Sequence, residues 1–343
     1  MLLGTFCKRS MGIHQFFHIV LPPKEVAKKD ASKKDKDIPK KVPVKETIKD
    51  LGLLIKLEDL SGFAVAIDAY PIIHAAVRGM QQVNTLTHDG GMGQEKITSH
   101  INVLFFNAIL FHKMGIKQLW VFDGGPPTIK NKELAKRSEA RKKASDELKA
   151  CKDEDRKIKL EKRSYKLEDY IMSDVKKLLT YMGISWVVAP EEAEAYCAFL
   201  NKSGDYDYVL SPDSDALVFG ATNLIRPYKT DKKKEFYVYE RDDILKATGL
   251  DKKQFIEMSV CMGCDFADKV AGIGPATVIK KIDKIEFNKE QHNAINYYRN
   301  AMKEMELVEI NENEFDREKL EKFMRKNGFN LTRLEKHLLL LEK

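Results

Sequence analysis

Six carboxylates have the residue type and spacing for chemistry. Asp68 follows the apolar run FAVAI, Asp123 follows LWVF, Glu192 and Glu194 follow WVVAP, and Asp213 and Asp215 follow DYVLS. Each run has the β-branched and aromatic character of a buried strand. In an open α/β sheet, ligands gather outside the carboxyl ends of the strands, so acids from four strands converge on one edge. Like charges about 4 Å apart cost roughly 4 kcal/mol at an effective dielectric near 20, so such a cluster must take up protons or cations. Oxygen ligands with no His or Cys among them suit Mg²⁺ or Mn²⁺ rather than zinc. Asp213 and Asp215, two residues apart, share one face of an extended segment and can share an ion. Glu192 and Glu194 do not face together within a helix, yet both reach the sheet edge from a first turn. A cap or turn role explains any one of these acids alone. Four coincidences in one chain favour a metal site.

A further acid, Asp265, lies in CMGCDF after a helical pattern that starts near Asp251. Beyond it, VAGIGPATVIKKI sets Gly272 and Gly274 before Pro275, with Lys280 and Lys281 one or two turns on. Glycines let a phosphate approach the backbone, Pro suits the first position of a helix, and helix N-termini offer free N–H groups. A plain helix–helix turn and a contact to a nucleic-acid backbone both explain these residues.

The elements that must position these groups alternate. Between the strands lie the helical patterns SHINVLFFNAILFHKMG, MSDVKKLLTYMG and EEAEAYCAFLNKSG, each with Gly near its end. Strand alternating with helix gives an α/β fold on a mostly parallel sheet. Residues 126–170 stand apart, being dense in charge with few apolar residues before Tyr165. That stretch reads as a helical pair standing off the globule, or as a loop that orders on a ligand. Residues 22–49 are rich in Lys, Asp, Pro and Val and read as a mobile basic insertion.

The chain has 343 residues with 59 Lys and Arg against 52 Asp and Glu, and a formal net charge of +7. A basic chain with concentrated acid fits a protein that grips a polyanion and reserves its carboxylates for another purpose. No apolar run approaches the roughly 20 residues needed to cross a bilayer, which excludes a membrane-spanning helix. Five cysteines without regular spacing argue against a secreted disulfide framework and for a reducing, intracellular compartment. Cys261 and Cys264 form a C-x-x-C with no second pair, so buried free thiols on a helix are expected rather than zinc ligands. The lysine runs suit nuclear import and DNA equally. Residues 1–10 are too short for a signal peptide, and Met11 offers a second start.

In order along the chain, MGIHQF, AIDA, VFDGGPP, KELAKR, APEEAEAYCA, SPDSDAL, MGCDF and GIGP resemble the motifs of the flap endonuclease and XPG family of structure-specific 5′-nucleases. The resemblance spans residues 11–343 outside the insertion and is nearest to the flap endonucleases. It implies a PIN-like 5′-nuclease fold in one domain over 11–343, with 1–10 as an extension. Within it, 126–170 becomes a helical arch over a 5′ flap, of flap-endonuclease length, and 251–283 a helix-hairpin-helix-type element that grips duplex DNA, with K⁺ as an ion of that element. It implies seven metal-binding acids, Asp68, Asp123, Glu192, Glu194, Asp213, Asp215 and Asp265, holding two Mg²⁺ ions that Mn²⁺ can replace. It gives Lys130 and Arg137 contacts to the scissile phosphate; seven residues apart, they share a helix face. It assigns Gly12 to the margin of the site, His74 to stacking on a base, and Gly272, Gly274, Lys280 and Lys281 to the DNA backbone.

Three features depart from the family pattern. Gly12 is preceded by ten further residues and a Met, the basic insertion has no counterpart, and His74 stands where the family has an aromatic ring, so a core histidine fits it as well. The chain shows no Q-x-x-L-x-x-F-F tail, so sliding-clamp binding through that motif is not expected. The expected activity is Mg²⁺-dependent cutting of 5′-flap DNA at the junction of single and double strand, in replication or repair, by a monomer acting on flaps, nicks or gaps. The alternatives are a 5′-to-3′ exonuclease on DNA or RNA, and a non-catalytic junction-binding protein.

Overall fold

The computed structural model describes residues 13, 15–22, 46–80, 87–89, 95–227, 235–303 and 305–342. Gly12, the extension 1–10 and most of the basic insertion lie outside them. The strands, in chain order, are β1 (Leu53–Lys56), β2 (Ala64–Asp68), β3 (Thr87–Asp89), β4 (Glu95–Ile97), β5 (Lys117–Phe122), β6 (Ser185–Val188), β7 (Tyr208–Leu210), β8 (Asn223–Pro227) and β9 (Glu235–Glu240). Among the described residues, seven of them form one sheet in the order β1-β9-β8-β7-β2-β5-β6, and β3 and β4 pair separately. From β8 to β6 every neighbour is parallel, whereas β9 runs antiparallel to both β8 and β1. The alternation expected from the sequence thus holds for its parallel part, and the antiparallel edge extends it.

Strand residues alternate between two apolar layers, as the period of two requires. Ala66, Leu119, Val121, Val209 and Leu224 face the helices Ala193–Ser203, Lys252–Cys261 and Lys289–Asn300. Val65, Ile67, Trp120, Phe122 and Leu210 face Ala69–Met80, Ser99–Lys113 and Asp169–Tyr181. These helices cover both faces, so the central strands have little exposed surface and read as unbroken apolar runs.

Residues 126–170 form the helical pair: Asn131–Ala150 and Glu154–Ser164, entered through a 3₁₀ turn, Thr128–Lys130. Ala144 and Leu160 are its buried residues within the two helices. Cys261 closes a helix and Cys264 lies just past it, both buried and free, so one of the two thiols is not helical as expected. The last residues of the basic stretch belong to the globule rather than to the insertion expected: Ile48 is fully buried, and Thr47 bridges to Val20. Ile48 fills the core beside Phe17 and Ile19, which makes 46–49 part of the globule. No helix among the described residues is long and apolar enough to cross a membrane.

Candidate active site

The chain order reverses at β2: the next parallel strands, β5 and β6, lie to one side, whereas β7 and β8 lie to the other. Such a reversal opens a crevice at the carboxyl ends. Asp68 closes β2 on one wall, and Asp213 and Asp215 follow β7 on the other. Ser211 ties the walls together, its hydroxyl donating to Asp68 Oδ2 at 3.0 Å and accepting from the Asp213 N–H at 3.1 Å. Asp123 follows β5 and accepts from the Ala193 N–H at 2.9 Å. Gly124 beside it admits no side chain, because a Cβ there would stand 2.1 Å from the Ala189 carbonyl oxygen. That close approach brings Asp123 against the loop that carries Glu192.

The two glutamates divide. Glu192 caps the helix Ala193–Ser203 in extended conformation and points to Lys130, whereas Glu194, in the first turn, joins Asp213 and Asp215. Ligand oxygens of Glu194, Asp213 and Asp215 all lie within 4.8 Å of one another. Asp213 and Asp215 meet there from a loop and from the first residue of the helix Asp215–Phe219, not from an extended strand end as expected. Asp215 is fixed through both oxygens, accepting from the Ile13 N–H at 3.0 Å and from the Tyr298 hydroxyl at 2.8 Å.

Electrostatics follow from this crowding. Burial, then the neighbouring Asp123, pushes the Asp68 carboxyl up to about 8. Burial and Asp265 raise Asp215 to about 6, against the pull of Tyr298 and the Ile13 N–H. Glu194 and Asp213 are held well above the usual carboxylate range, by burial first, then by Asp213 acting on Glu194 and Asp215 on Asp213. Buried carboxylates that repel one another are ionised by a cation set between them. The all-oxygen triad therefore fits a hard divalent metal.

Cations of the chain pair with Glu192 and Asp265. Lys130 Nζ lies 2.6 Å from Glu192 and 3.2 Å from Asp265, and Arg137 lies 2.6 Å from Asp265. Burial disfavours the Lys130 charge, but Glu192 and Asp265 outweigh it and raise its pKa. The structure thus brings all seven acids and both expected basic residues to one crevice. His74 stands near it, its ring 4.4 Å from that of Tyr70. Burial, then Arg78 and Arg137, lowers His74 to about 4, so it is neutral. Tyr70, Tyr298 and Ile13 are site residues that sequence reasoning missed. The signal for Tyr70 was its place two residues after Asp68, and for Ile13 its place beside Gly12 in MGIHQF; Tyr298 left none.

The GIGP segment, 272–275, follows Asp265 in the chain. Gly272 has φ +73°, a left-handed conformation that glycine suits. Pro275 does not open the helix as expected, because Pro275–Thr277 is a turn and the helix spans Val278–Lys281. The Gly274 N–H is already engaged by the Thr277 hydroxyl at 3.2 Å, so it is not a free donor. Lys280 and Lys281 are exposed on that short helix.

Residues 44–144 match the family description XPG N-terminal domain, and residues 183–265 match XPG I-region. The chain is 37% identical over 242 residues to Flap endonuclease 1 of Pyrobaculum arsenaticum, covering 66% of this chain and 69% of that one. It is 31% identical over 312 residues to Flap endonuclease 1 of Methanosarcina barkeri, covering 82% and 90%. The chain belongs to the flap endonuclease and XPG family. Among solved structures, the flap endonuclease-1 from Methanococcus jannaschii superposes with a TM-score of 0.63 at 28% identity, over 84% of this chain and 95% of that one. The catalytic core of Rad2 in complex with DNA substrate shares the fold, with a TM-score of 0.62 at 22% identity over 86% and 97%. Family membership makes the chain a phosphodiester-hydrolysing nuclease.

Proposed function

We propose that this chain is a divalent-metal-dependent, structure-specific 5′ nuclease that cuts 5′-flap DNA at the junction of single and double strand. The observation that carries the reading is the triad Glu194, Asp213 and Asp215 facing Lys130 and Arg137 at the base of the helical pair. Mg²⁺ is the metal of this reading, with Mn²⁺ able to replace it. The triad would hold one ion, and Asp68, Asp123, Glu192 and Asp265 are the remaining ligands for a second. Bound there, such ions polarise phosphoryl oxygens and make a water acidic enough to attack.

The chain's own residues do the rest. Tyr298 and the Ile13 N–H hold Asp215 in one orientation, and Ser211 does the same for Asp68. Lys130 and Arg137 bring fixed positive charge to where a phosphoryl group gains negative charge, which is worth most where water is excluded. The helical pair serves as an arch beside the single strand, and Tyr70 with His74 offers a face for a base next to the cut. The GIGP turn with Lys280 and Lys281 serves the duplex backbone, with K⁺ at the turn on the family's pattern. Contacts of that kind read phosphate and shape, so binding is salt-dependent and tolerant of sequence.

A 5′-labelled flap duplex, a blunt duplex and a single strand, incubated in Mg²⁺ and in EDTA, test this. A flap-length product that needs Mg²⁺ is expected. A ladder of mononucleotides makes the chain a 5′-to-3′ exonuclease instead, and tight binding without product makes it a junction-binding protein.

A further inference from the structure

Away from the acid crevice, three exposed side chains and the half-buried Glu290 form a second charge cluster. Lys132 Nζ lies 3.0 Å from Asp268 Oδ2 and 2.6 Å from Glu290 Oε2, and Lys136 Nζ lies 2.6 Å from Asp268 Oδ1. Lys132 and Lys136 are one turn apart on the helix Asn131–Ala150, so they present one face. Asp268 is three residues past Asp265. One short loop therefore grips the helical pair twice, through Asp265 on Lys130 and Arg137 and through Asp268 on Lys132 and Lys136. Gln291, next to Glu290, donates to the Asp268 carbonyl at 3.1 Å and fastens the loop to the helix Lys289–Asn300. That same helix supplies Tyr298 to Asp215.

Beyond Ile129, which packs against the core from the turn at the base of the pair, apolar packing does little to fix this orientation. The two long helices of the pair bury Ala144 and Leu160 alone among their described residues, and the helix Asn131–Ala150 has no apolar face to seat on the globule. An isolated exposed ion pair contributes almost nothing, but two lysines sharing two acids form a network with a fixed geometry. We propose that Lys132, Lys136, Asp268 and Glu290 form an ion latch that seats the first helix of the pair and so positions Lys130 and Arg137 over the acids. They are positioning residues, and none of them touches the acid crevice. The latch is a property of the DNA-free protein; its effect on cutting rests on the nuclease reading above.

Two variants of the full chain test it. Asp268→Asn with Glu290→Gln removes the acids and leaves every basic residue in place. Lys132→Glu and Lys136→Glu combined with Asp268→Lys and Glu290→Lys rebuild the latch with its polarity inverted. Amide hydrogen exchange across residues 128–150 of the DNA-free protein is expected to quicken about tenfold in the first variant and to return to the original rate in the second. Single-turnover cutting of a saturating flap substrate in the first variant is expected to slow about tenfold, as misplaced catalytic groups do. About 0.5 M NaCl should bring the exchange of the original chain close to that of the first variant, because exposed pairs are screened. Unchanged exchange, failure of the inverted set to restore it, or faster cutting in the first variant overturns the latch. If the original chain cuts no flap, the nuclease reading fails while the exchange result still decides the latch.

Discussion

Lys130 Nζ sits 2.6 Å from Glu192 Oε2, so an ammonium of the helical pair occupies the electrostatic place beside a carboxylate that a metal ion would also seek. The same ammonium is 3.2 Å from Asp265. On the proposed nuclease reading, a lysine so placed should oppose metal binding in the free protein and support phosphate chemistry in the complex.

Lys130→Met should separate those two roles. Calcium or manganese affinity, measured calorimetrically without DNA, is expected to rise a few-fold as the competing charge is lost. Single-turnover cutting is expected to fall by about 10² to 10³. Weaker metal binding together with slower cutting would show that Lys130 props the site rather than competing in it.

Asp213→Asn removes one member of a repelling, buried cluster. In EDTA the variant should be more stable than the original chain by about 1 to 2 kcal/mol, read as a higher midpoint in urea. Its flap cutting should be lost while flap binding stays within a few-fold. Loss of stability in EDTA would mean that Asp213 is held by hydrogen bonds stronger than the repulsion.

pH should act on the metal-free fold with a definite sign. Asp68 at about 8, Asp215 at about 6 and the raised Glu194 and Asp213 all bind protons more tightly folded than unfolded. Their contribution to stability is full below the unfolded values near 4 and is lost as pH rises through the folded ones. The increase in melting temperature on adding Mg²⁺ should therefore widen between about pH 5 and pH 8. An increase independent of pH would place the bound ion elsewhere.

Tyr298→Phe deletes the hydroxyl that donates to Asp215 Oδ2 and changes little else. Partners that orient a ligand typically account for about 10- to 100-fold in metal affinity, so Mn²⁺ binding followed by electron paramagnetic resonance should weaken by about tenfold. Unaltered affinity would leave the Ile13 N–H as the group that orients Asp215.

Much of this arrangement was legible in the sequence because buried parallel strands have nowhere to place polar residues. FAVAI, QLWVF, SWVVA and DYVLS each stand as a strand ending at the acids that follow. The antiparallel edge was missed, although Leu53–Ile55 of β1 and Phe236–Tyr239 of β9 are themselves short apolar or aromatic runs; Leu53 and Leu54 are exposed, and β9 mixes buried Phe236 with half-exposed Tyr237. Lys130 and Arg137 came from resemblance alone, since charged residues on an exposed helix carry no signal of what they face. Tyr298 reaches Asp215 across 83 residues and Ile13 across 202, and no local pattern encodes contacts of that span. The Lys132 and Lys136 pairs were hidden for the same reason: they look like any solvated face.

The segment around Ile13 has a consequence for how the protein is made. Ile13 is almost completely buried against the site, its N–H reaches Asp215, and the Val20 N–H reaches the Pro275 carbonyl. During synthesis Ile13 leaves the ribosome well before Asp215, which lies 202 residues further on. The crevice is therefore closed by contacts of long sequence separation, which form slowly. The orientation of Asp215 by Ile13 thus belongs to the assembled fold and to neither segment alone.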